Sequence, residues 1–231
     1  MQKIKEKIKK TNKYKKLLYK SIPVKIVDDV ENMVDVNLVL SKVEQTIPYR
    51  LLSGHVNEII FGNFDFFKKR DYNAYYDTEN KLIYIRSEQQ DNNLDLFDDL
   101  VHEISHAIEN KFHDFIFSDG RLKAEFMHKR LKLRYTLALK YGKLVPDHKF
   151  MLTSFDQELD DLFHKRLGYY RMRKYVNGLF PSAYAPTSVD EYWAEGFEKY
   201  CLGKKEDLFK ICPQLFKKID FLFKGEDNEN N

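Results

Sequence analysis

The sequence contains few of the residues that mark several large classes of protein. Among its 231 residues there are two cysteines, nine glycines and six prolines. Cys201 and Cys212 are too few for a disulfide scaffold, and we expect both to be reduced and buried. The scarcity of glycine and proline argues against a collagen-like repeat, a disordered chain and a glycine-rich nucleotide loop. No phosphate-binding glycine motif occurs anywhere.

Long apolar runs are missing as well. No stretch approaches the length of about 18 apolar residues that a membrane span needs, and the first 20 residues lack the apolar core of a signal peptide. We therefore expect a cytoplasmic protein without a membrane span. Non-classical export, or delivery as an effector, is the alternative.

Charge is distributed unevenly along the chain. The first 20 residues contain nine lysines and one glutamate, a net charge of +8, so the other 211 residues carry a net charge of −5. We expect residues 1–20 to form a basic arm, residues 21–225 a single domain, and residues 226–231 a polar tail. We expect no nucleic-acid partner, although the basic arm leaves that alternative open. The oligomeric state is not indicated.

The residues that are abundant predict a packed, helix-rich α+β fold. Eighteen phenylalanines and fifteen tyrosines provide enough apolar surface for one substantial core. Apolar periodicity and capping residues predict helices over residues 28–46, 121–141, 154–167, 191–202 and 213–223. Strands are predicted over residues 22–27, 56–61, 72–76 and 82–86, and the last two read as a hairpin.

A further helix carries the clearest chemical signal, His102-Glu103-x-x-His106. Asp91, Asn92 or Asn93 could cap this helix, and its apolar stripe predicts burial. The stripe comprises Leu94, Phe97, Leu100, Val101, Ile104, Ala107 and Ile108. Residues four apart share a helix face, so the two histidines can bind one metal ion. Glu103 lies beside them and could take a proton from water, which is the chemistry of a zinc peptidase.

The strand that precedes this helix has two possible roles. Residues 82–86 could form an exposed sheet edge to which a peptide substrate adds as a further strand, with Ile83, Tyr84 and Ile85 as the contacting residues. The alternative is an interior strand without substrate contact.

A catalytic zinc ion needs a third protein ligand. The longer motif of the metzincin class, His-Glu-x-x-His-x-x-Gly-x-x-His, is absent. Glu109 and Phe112 stand where that class has glycine and histidine. A better candidate is the block from Glu191 to Phe197, in which Glu191 and Glu195 share a helix face among apolar residues. One of the two could bind zinc while the other orients a histidine.

These residues together resemble a known family, the zinc peptidases related to the catalytic domain of anthrax lethal factor, which include the secreted Pro-Pro endopeptidases of clostridia. The shared features are the His-Glu-x-x-His followed by Ala107 and Ile108, the block Glu-Tyr-Trp-Ala-Glu-Gly-Phe, and a tyrosine seven residues before that block, here Tyr184. The resemblance covers roughly residues 70–223. It implies a zincin-like fold, with a small mixed sheet packed on the active-site helix and a helix-rich C-terminal half.

The resemblance also implies roles for individual residues. One zinc ion per chain would be held by His102, His106 and Glu191, and would lower the pKa of its bound water to about 7. Glu103 would accept a proton from that water and pass it to the leaving amine. Tyr184 would stabilise the oxyanion. Glu195 would orient a histidine ligand.

The chain departs from the family in two respects. Glu191 follows His106 by 85 positions, and the excess predicts a helical insertion at about residues 113–170, acting as a lid, a partner-binding face or a stabilising element. No secretion signal is visible. We expect the other histidines, His55, His113, His128, His148 and His164, to be solvated or satisfied in the core.

The leading hypothesis is therefore a zinc endopeptidase that cleaves a protein or peptide substrate, either a toxin-like effector or a regulatory protease. A protease of a mobile element that cleaves a regulatory protein is a variant of the same chemistry. The alternative from another class is a non-catalytic module with the zincin fold that binds a partner through its basic arm.

Overall fold

The computed structural model describes residues 15–30, 33–70, 73–142 and 147–225. Most of the predicted basic arm and the polar tail at 226–231 lie outside these ranges. Two compact units, residues 1–111 and residues 112–231, divide the chain. The predicted single domain over 21–225 and the insertion at about 113–170 stay predictions. None of the described helices is both long and apolar enough to cross a membrane.

The first unit contains a small mixed sheet. Its five strands are β1 (Lys15–Leu18), β2 (Ile22–Ile26), β3 (Glu58–Phe61), β4 (Ala74–Asp77) and β5 (Leu82–Ile85), arranged in the order β1-β2-β3-β5-β4. β2, β3 and β5 run parallel, whereas β1 and β4 pair antiparallel at the two edges. The predicted hairpin is confirmed, because β4 pairs with β5. β1 includes four residues of the lysine-rich segment 1–20, so Lys15–Leu18 belong to the sheet.

The exposed-edge hypothesis for residues 82–86 is wrong. β5 pairs with β3 on one side and with β4 on the other, so the backbone of Ile83, Tyr84 and Ile85 cannot pair with an added strand. The three side chains are buried, and Tyr84 belongs to a core cluster with Phe64 and Phe67. β5 is therefore an interior strand, which was the alternative prediction. Ile83, Tyr84 and Ile85 are no longer candidates for substrate contact.

The helices of this unit are α1 (Val36–Thr46), α2 (Tyr49–Leu52), α3 (Asp65–Arg70) and α4 (Asn93–Lys111), with a 3₁₀ turn at Ser87–Gln89. α1 begins eight residues later than predicted. Its cap is Asp35, whose side chain accepts from the amides of Asn37 and Leu38. Asp28, the predicted start, lies in a loop and accepts from the amide of Asn63 instead.

α4 is the central helix of the first unit. It contacts β4 and β5 of the sheet and also α1 and α2. The predicted apolar stripe is buried except for Leu94, which is half exposed in the first turn. The structure therefore confirms an α+β arrangement in which a small mixed sheet packs on the helix that carries the histidine pair.

The described part of the second unit is helical. Its helices are α5 (His113–Phe117), α6 (Arg121–Tyr141), α7 (Gln157–Asp160), α8 (Tyr169–Val176), α9 (Val189–Cys201), α10 (Lys205–Ile211) and α11 (Pro213–Lys224), with a 3₁₀ turn at Asp147–Met151 and a π-helix at Asp161–Leu167. α6 matches its predicted bounds. The predicted helix 154–167 is confirmed only in part, because α7 is short and continues as the π-helix.

α6 forms the core of this unit together with its neighbours. It contacts α5, α8, α9 and α11, and Phe126 on α6 packs against Tyr192 on α9 with ring centroids 5.6 Å apart. Both rings are fully buried, as is Trp193. Both cysteines are free, as predicted, but only Cys212 is fully buried.

Candidate active site

The first part of the candidate site lies on α4. Asn92 caps this helix, because its side-chain oxygen accepts from the amides of Leu94 and Asp95. About three turns after Asn92, the rings of His102 and His106 lie with centroids 5.1 Å apart and planes inclined by 76°. Both histidines are partly exposed, whereas Glu103 between them is 8% exposed. The helix thus presents two imidazoles side by side with a largely buried carboxylate next to them.

Glu109 fixes the orientation of His106. The Nδ1 atom of His106 lies 3.2 Å from Oε2 of Glu109, one helical turn further on. A carboxylate only accepts hydrogen bonds, so Nδ1 carries the proton, and in the neutral imidazole Nε2 is then the nitrogen whose lone pair a metal ion can bind. The sequence motif assigns no role to Glu109, which stands where a metzincin has glycine. The i, i+3 spacing was the signal that could have identified it.

The second part lies on α9. Ser188 caps this helix, and its hydroxyl oxygen accepts from the amide of Glu191 at 3.1 Å. Glu191 and Glu195 are partly exposed, whereas Tyr192, Trp193, Ala194 and Phe197 are buried. The burial of these neighbours orients the helix, so that the two glutamates share the less buried face. The predicted Glu-x-x-x-Glu face is therefore present, and the predicted helix 191–202 lies within one or two residues of α9.

Tyr184 lies in the irregular segment before α9. The hydroxyl oxygen of Ser182 accepts from the amides of Tyr184 and Ala185, both at 3.1 Å. Thr187 returns two hydrogen bonds to the carbonyl of Tyr184, from its amide at 2.9 Å and from its hydroxyl at 2.7 Å. These contacts make a compact turn that holds the backbone of Tyr184 in one place.

Two further residues of the second unit, His164 and Tyr169, were not predicted as site residues and lie near Tyr184 and the α9 glutamates. The ring of His164 stands 5.1 Å from the ring of Tyr184 and 4.6 Å from that of Tyr169. Burial raises the pKa of Tyr169 to about 12, and the carboxylates of Glu195, Asp160 and Glu191 add to the shift. The phenol of Tyr169 is therefore harder to ionise than that of an ordinary tyrosine.

Comparison with protein-family models, with curated proteins and with solved structures gives no match to this chain. The resemblance to the lethal-factor peptidases thus stays a prediction, and so do the roles that it implies for Glu191, Glu195 and Tyr184.

Proposed function

We propose that this chain is a zinc-dependent endopeptidase. In this proposal His102, His106 and Glu191 hold one zinc ion, Glu103 is the general base, Tyr184 stabilises the oxyanion and Glu195 orients a histidine ligand. The substrate is a protein or peptide. The observation that carries the proposal is the pair of adjacent imidazoles on α4, in which His106 is hydrogen-bonded to Glu109, together with the buried carboxylate of Glu103.

The available donors support zinc. Two ligand sets can be proposed from these side chains, His102 with His106 and Glu191, and His102 with Glu195 and Glu198. Two imidazoles and one carboxylate are the ligand set of many catalytic zinc sites, which keep one position open. The second group has a single imidazole and two carboxylates, which suit harder ions. The His106–Glu109 hydrogen bond also favours the first group, because zinc-binding histidines commonly donate their other ring N–H to a carboxylate.

When bound, zinc would supply a Lewis acid that polarises the peptide carbonyl and makes water more acidic. Glu103 would take the proton from the attacking water and deliver it to the leaving amine. The Tyr184 hydroxyl would donate to the developing oxyanion. Removing one such donor typically lowers the rate by about 10² to 10³.

Zinc content and peptide cleavage, measured on the same preparations, test the proposal. The wild-type chain, loaded with zinc, is expected to bind one ion and to cleave members of a peptide library. Glu103→Gln should retain the ion and lose cleavage, since the amide cannot accept the proton. Glu191→Ala should lose zinc, and Tyr184→Phe should keep zinc while its turnover falls by about 10² to 10³.

Matched control variants distinguish these effects from a general loss of folded protein. His128→Ala and Glu206→Ala change exposed residues of the same two chemical types, so both should retain zinc and cleavage. A Glu103→Gln variant that still cleaves would overturn the assignment of the base. A Glu191→Ala variant with one full equivalent of zinc would overturn the third ligand.

A further inference from the structure

His164 lies in an uncommon backbone environment. The π-helix Asp161–Leu167 carries it between α7 and α8. Three neighbours on this segment, Leu162, Phe163 and Leu167, are buried and anchor it in the second unit. π-helical segments are rare, and they frequently occur at functional sites because the wider turn re-aims a side chain.

The imidazole of His164 is held at one nitrogen and unsatisfied at the other. Nδ1 lies 2.5 Å from Oδ1 of Asp160, one turn earlier, so Nδ1 carries the proton that this carboxylate accepts. Nε2 is buried and has no hydrogen-bond partner among the described residues. A buried polar atom without a partner costs folding free energy, so its retention calls for an explanation other than stability.

The ring of His164 lies between two tyrosines. It stacks on Tyr169 with planes inclined by 26° and contacts Tyr184 with planes inclined by 33°. The backbone of Tyr184 is held by Ser182 and Thr187, as described above, but those bonds leave χ1 and χ2 of the tyrosine undetermined. Contact with a ring that is itself held by Asp160 restricts both angles.

We infer that His164, held by Asp160, is a positioning residue that fixes the phenol of Tyr184 for the reaction. The inference rests on the proposed function, because it concerns the group that would stabilise the oxyanion. His164 acts through Tyr184 in this account. Misplacing a reacting group by about 1 Å can lower a rate by about 10²-fold, so a loss of this ring contact should be visible in turnover.

Steady-state kinetics on the zinc-loaded protein give the first test. His164→Ala is expected to lower kcat about 10-fold or more, with KM within about twofold and zinc content unchanged. His164→Phe keeps a ring against Tyr184 and should recover most of kcat. Asp160→Ala should lower kcat by a smaller factor, because it frees the ring without removing it. Asp161→Ala, which removes a neighbouring, partly exposed carboxylate that pairs with Lys165 and accepts from Gln157, is the matched control and should change neither constant.

A double-mutant cycle shows whether His164 works through Tyr184. In a Tyr184→Phe background the phenol hydroxyl is already absent, so His164→Ala should cost little more. Fully multiplicative losses in the double variant would overturn the inference, because they would mean that the two residues act independently.

A spectroscopic measurement does not depend on activity. 3-Fluorotyrosine placed at position 184 should give a ¹⁹F signal whose shift changes and whose line width decreases in His164→Ala, and which returns toward the wild-type position in His164→Phe. An unchanged signal in His164→Ala, with the native fluorescence of Trp193 retained, would overturn the inference. A wild-type chain that binds no zinc and cleaves no library peptide would instead overturn the proposed function, and the ¹⁹F result would then show separately whether His164 holds Tyr184.

Discussion

The guanidinium of Arg130 donates a hydrogen bond of 3.4 Å to the carbonyl of Thr187, the residue just before the cap of α9. The same side chain also donates to the carbonyl of Leu152 and is fully buried. Burial lowers the pKa of Arg130 to about 10, and Asp156 opposes the shift. One charged group on α6 thus joins the segment that carries Tyr184 to Leu152, the residue that follows the 3₁₀ turn at residues 147–151.

Replacing Arg130 should therefore destabilise the second unit. Arg130→Lys keeps the charge but loses the planar fork, so at least one of the two carbonyls loses its donor. We expect the free energy of unfolding to fall by about 1–3 kcal/mol. Urea unfolding followed by the fluorescence of Trp193, the single tryptophan, measures this change.

Arg134→Lys is the matched control for this experiment. Arg134 lies one turn further along α6 and pairs with Asp147 at the surface. Exposed ion pairs contribute about 0–1 kcal/mol, so the control should change stability little. Equal losses in the two variants would show that the burial of Arg130 is not what matters.

Glu125 should be a second stabilising residue on α6. Its carboxylate accepts from the amides of Gln214 and Leu215 at 2.9 and 3.1 Å and from the hydroxyl of Tyr192 at 2.8 Å. It thereby satisfies two free amides in the first turn of α11, a helix without a capping side chain of its own. Glu125→Gln replaces an accepting oxygen by a donor, and we expect it to lower the unfolding free energy by about 1–3 kcal/mol.

The partner of Glu125 on α9 permits a thermodynamic cycle. Tyr192→Phe removes the hydroxyl donor, and the coupling between the two substitutions should exceed about 0.5 kcal/mol because the groups are in direct contact. Glu206→Gln, an exposed glutamate in the first turn of α10, is the control and should have a small effect. Strictly additive losses for Glu125 and Tyr192 would contradict the assignment of their hydrogen bond.

Long elements with clear ends were predictable from the sequence. α6 begins after Gly120 and ends at Gly142, both of which have positive φ, so glycine marked the two boundaries. The order of the strands was not predictable, because side-chain alternation indicates which face is buried and does not indicate which strand lies on either side. The edge hypothesis for β5 failed for this reason. The short helices α2, α3, α5, α8 and α10 were missed because few residues define each one.

The candidate site was predictable where its residues lie four apart on one helix. His102 with His106, and Glu191 with Glu195, follow from helical geometry alone. Asp160 and His164 have the same spacing, but the spacing does not reveal that their segment is π-helical or that His164 meets Tyr184. That contact joins residues 20 positions apart and depends on the packing of the second unit.

Stability at low pH should depend on Asp156. This carboxylate caps α7 and lies 3.1 Å from the ammonium of Lys149. Burial raises its pKa, but the amides of Leu159 and Glu158 and the charge of Lys149 outweigh burial, and the pKa lies below its ordinary value of 3.8. The unfolded chain therefore binds this proton more readily than the folded chain, so the contribution of Asp156 is complete above about pH 4 and is lost as the pH falls through the folded pKa.

Asp156→Asn tests this dependence, because asparagine still caps a helix but carries no charge. The variant should be less stable than the wild type at pH 7, and the difference should shrink as the pH falls from about 4 to 2. Urea unfolding at a series of pH values measures it. A difference that stays constant over this range would contradict the assigned pKa shift.

Gly196 should not tolerate a methyl group, although it lies within a helix where alanine is preferred by about 1 kcal/mol. A Cβ built at this position would lie 2.2 Å from Cδ2 and 2.8 Å from Cγ of Leu215, which is fully buried on α11. The overlap involves the branch point of Leu215, so a rotation of one methyl group cannot relieve it. We expect Gly196→Ala to lower the unfolding free energy by about 1–3 kcal/mol, because overpacking outweighs helix propensity.

Leu215→Ala removes the overlapping atoms, so Gly196→Ala should cost less in that background than in the wild type. If Gly196→Ala instead raises the midpoint of thermal unfolding, α9 and α11 do not approach as closely as these distances state.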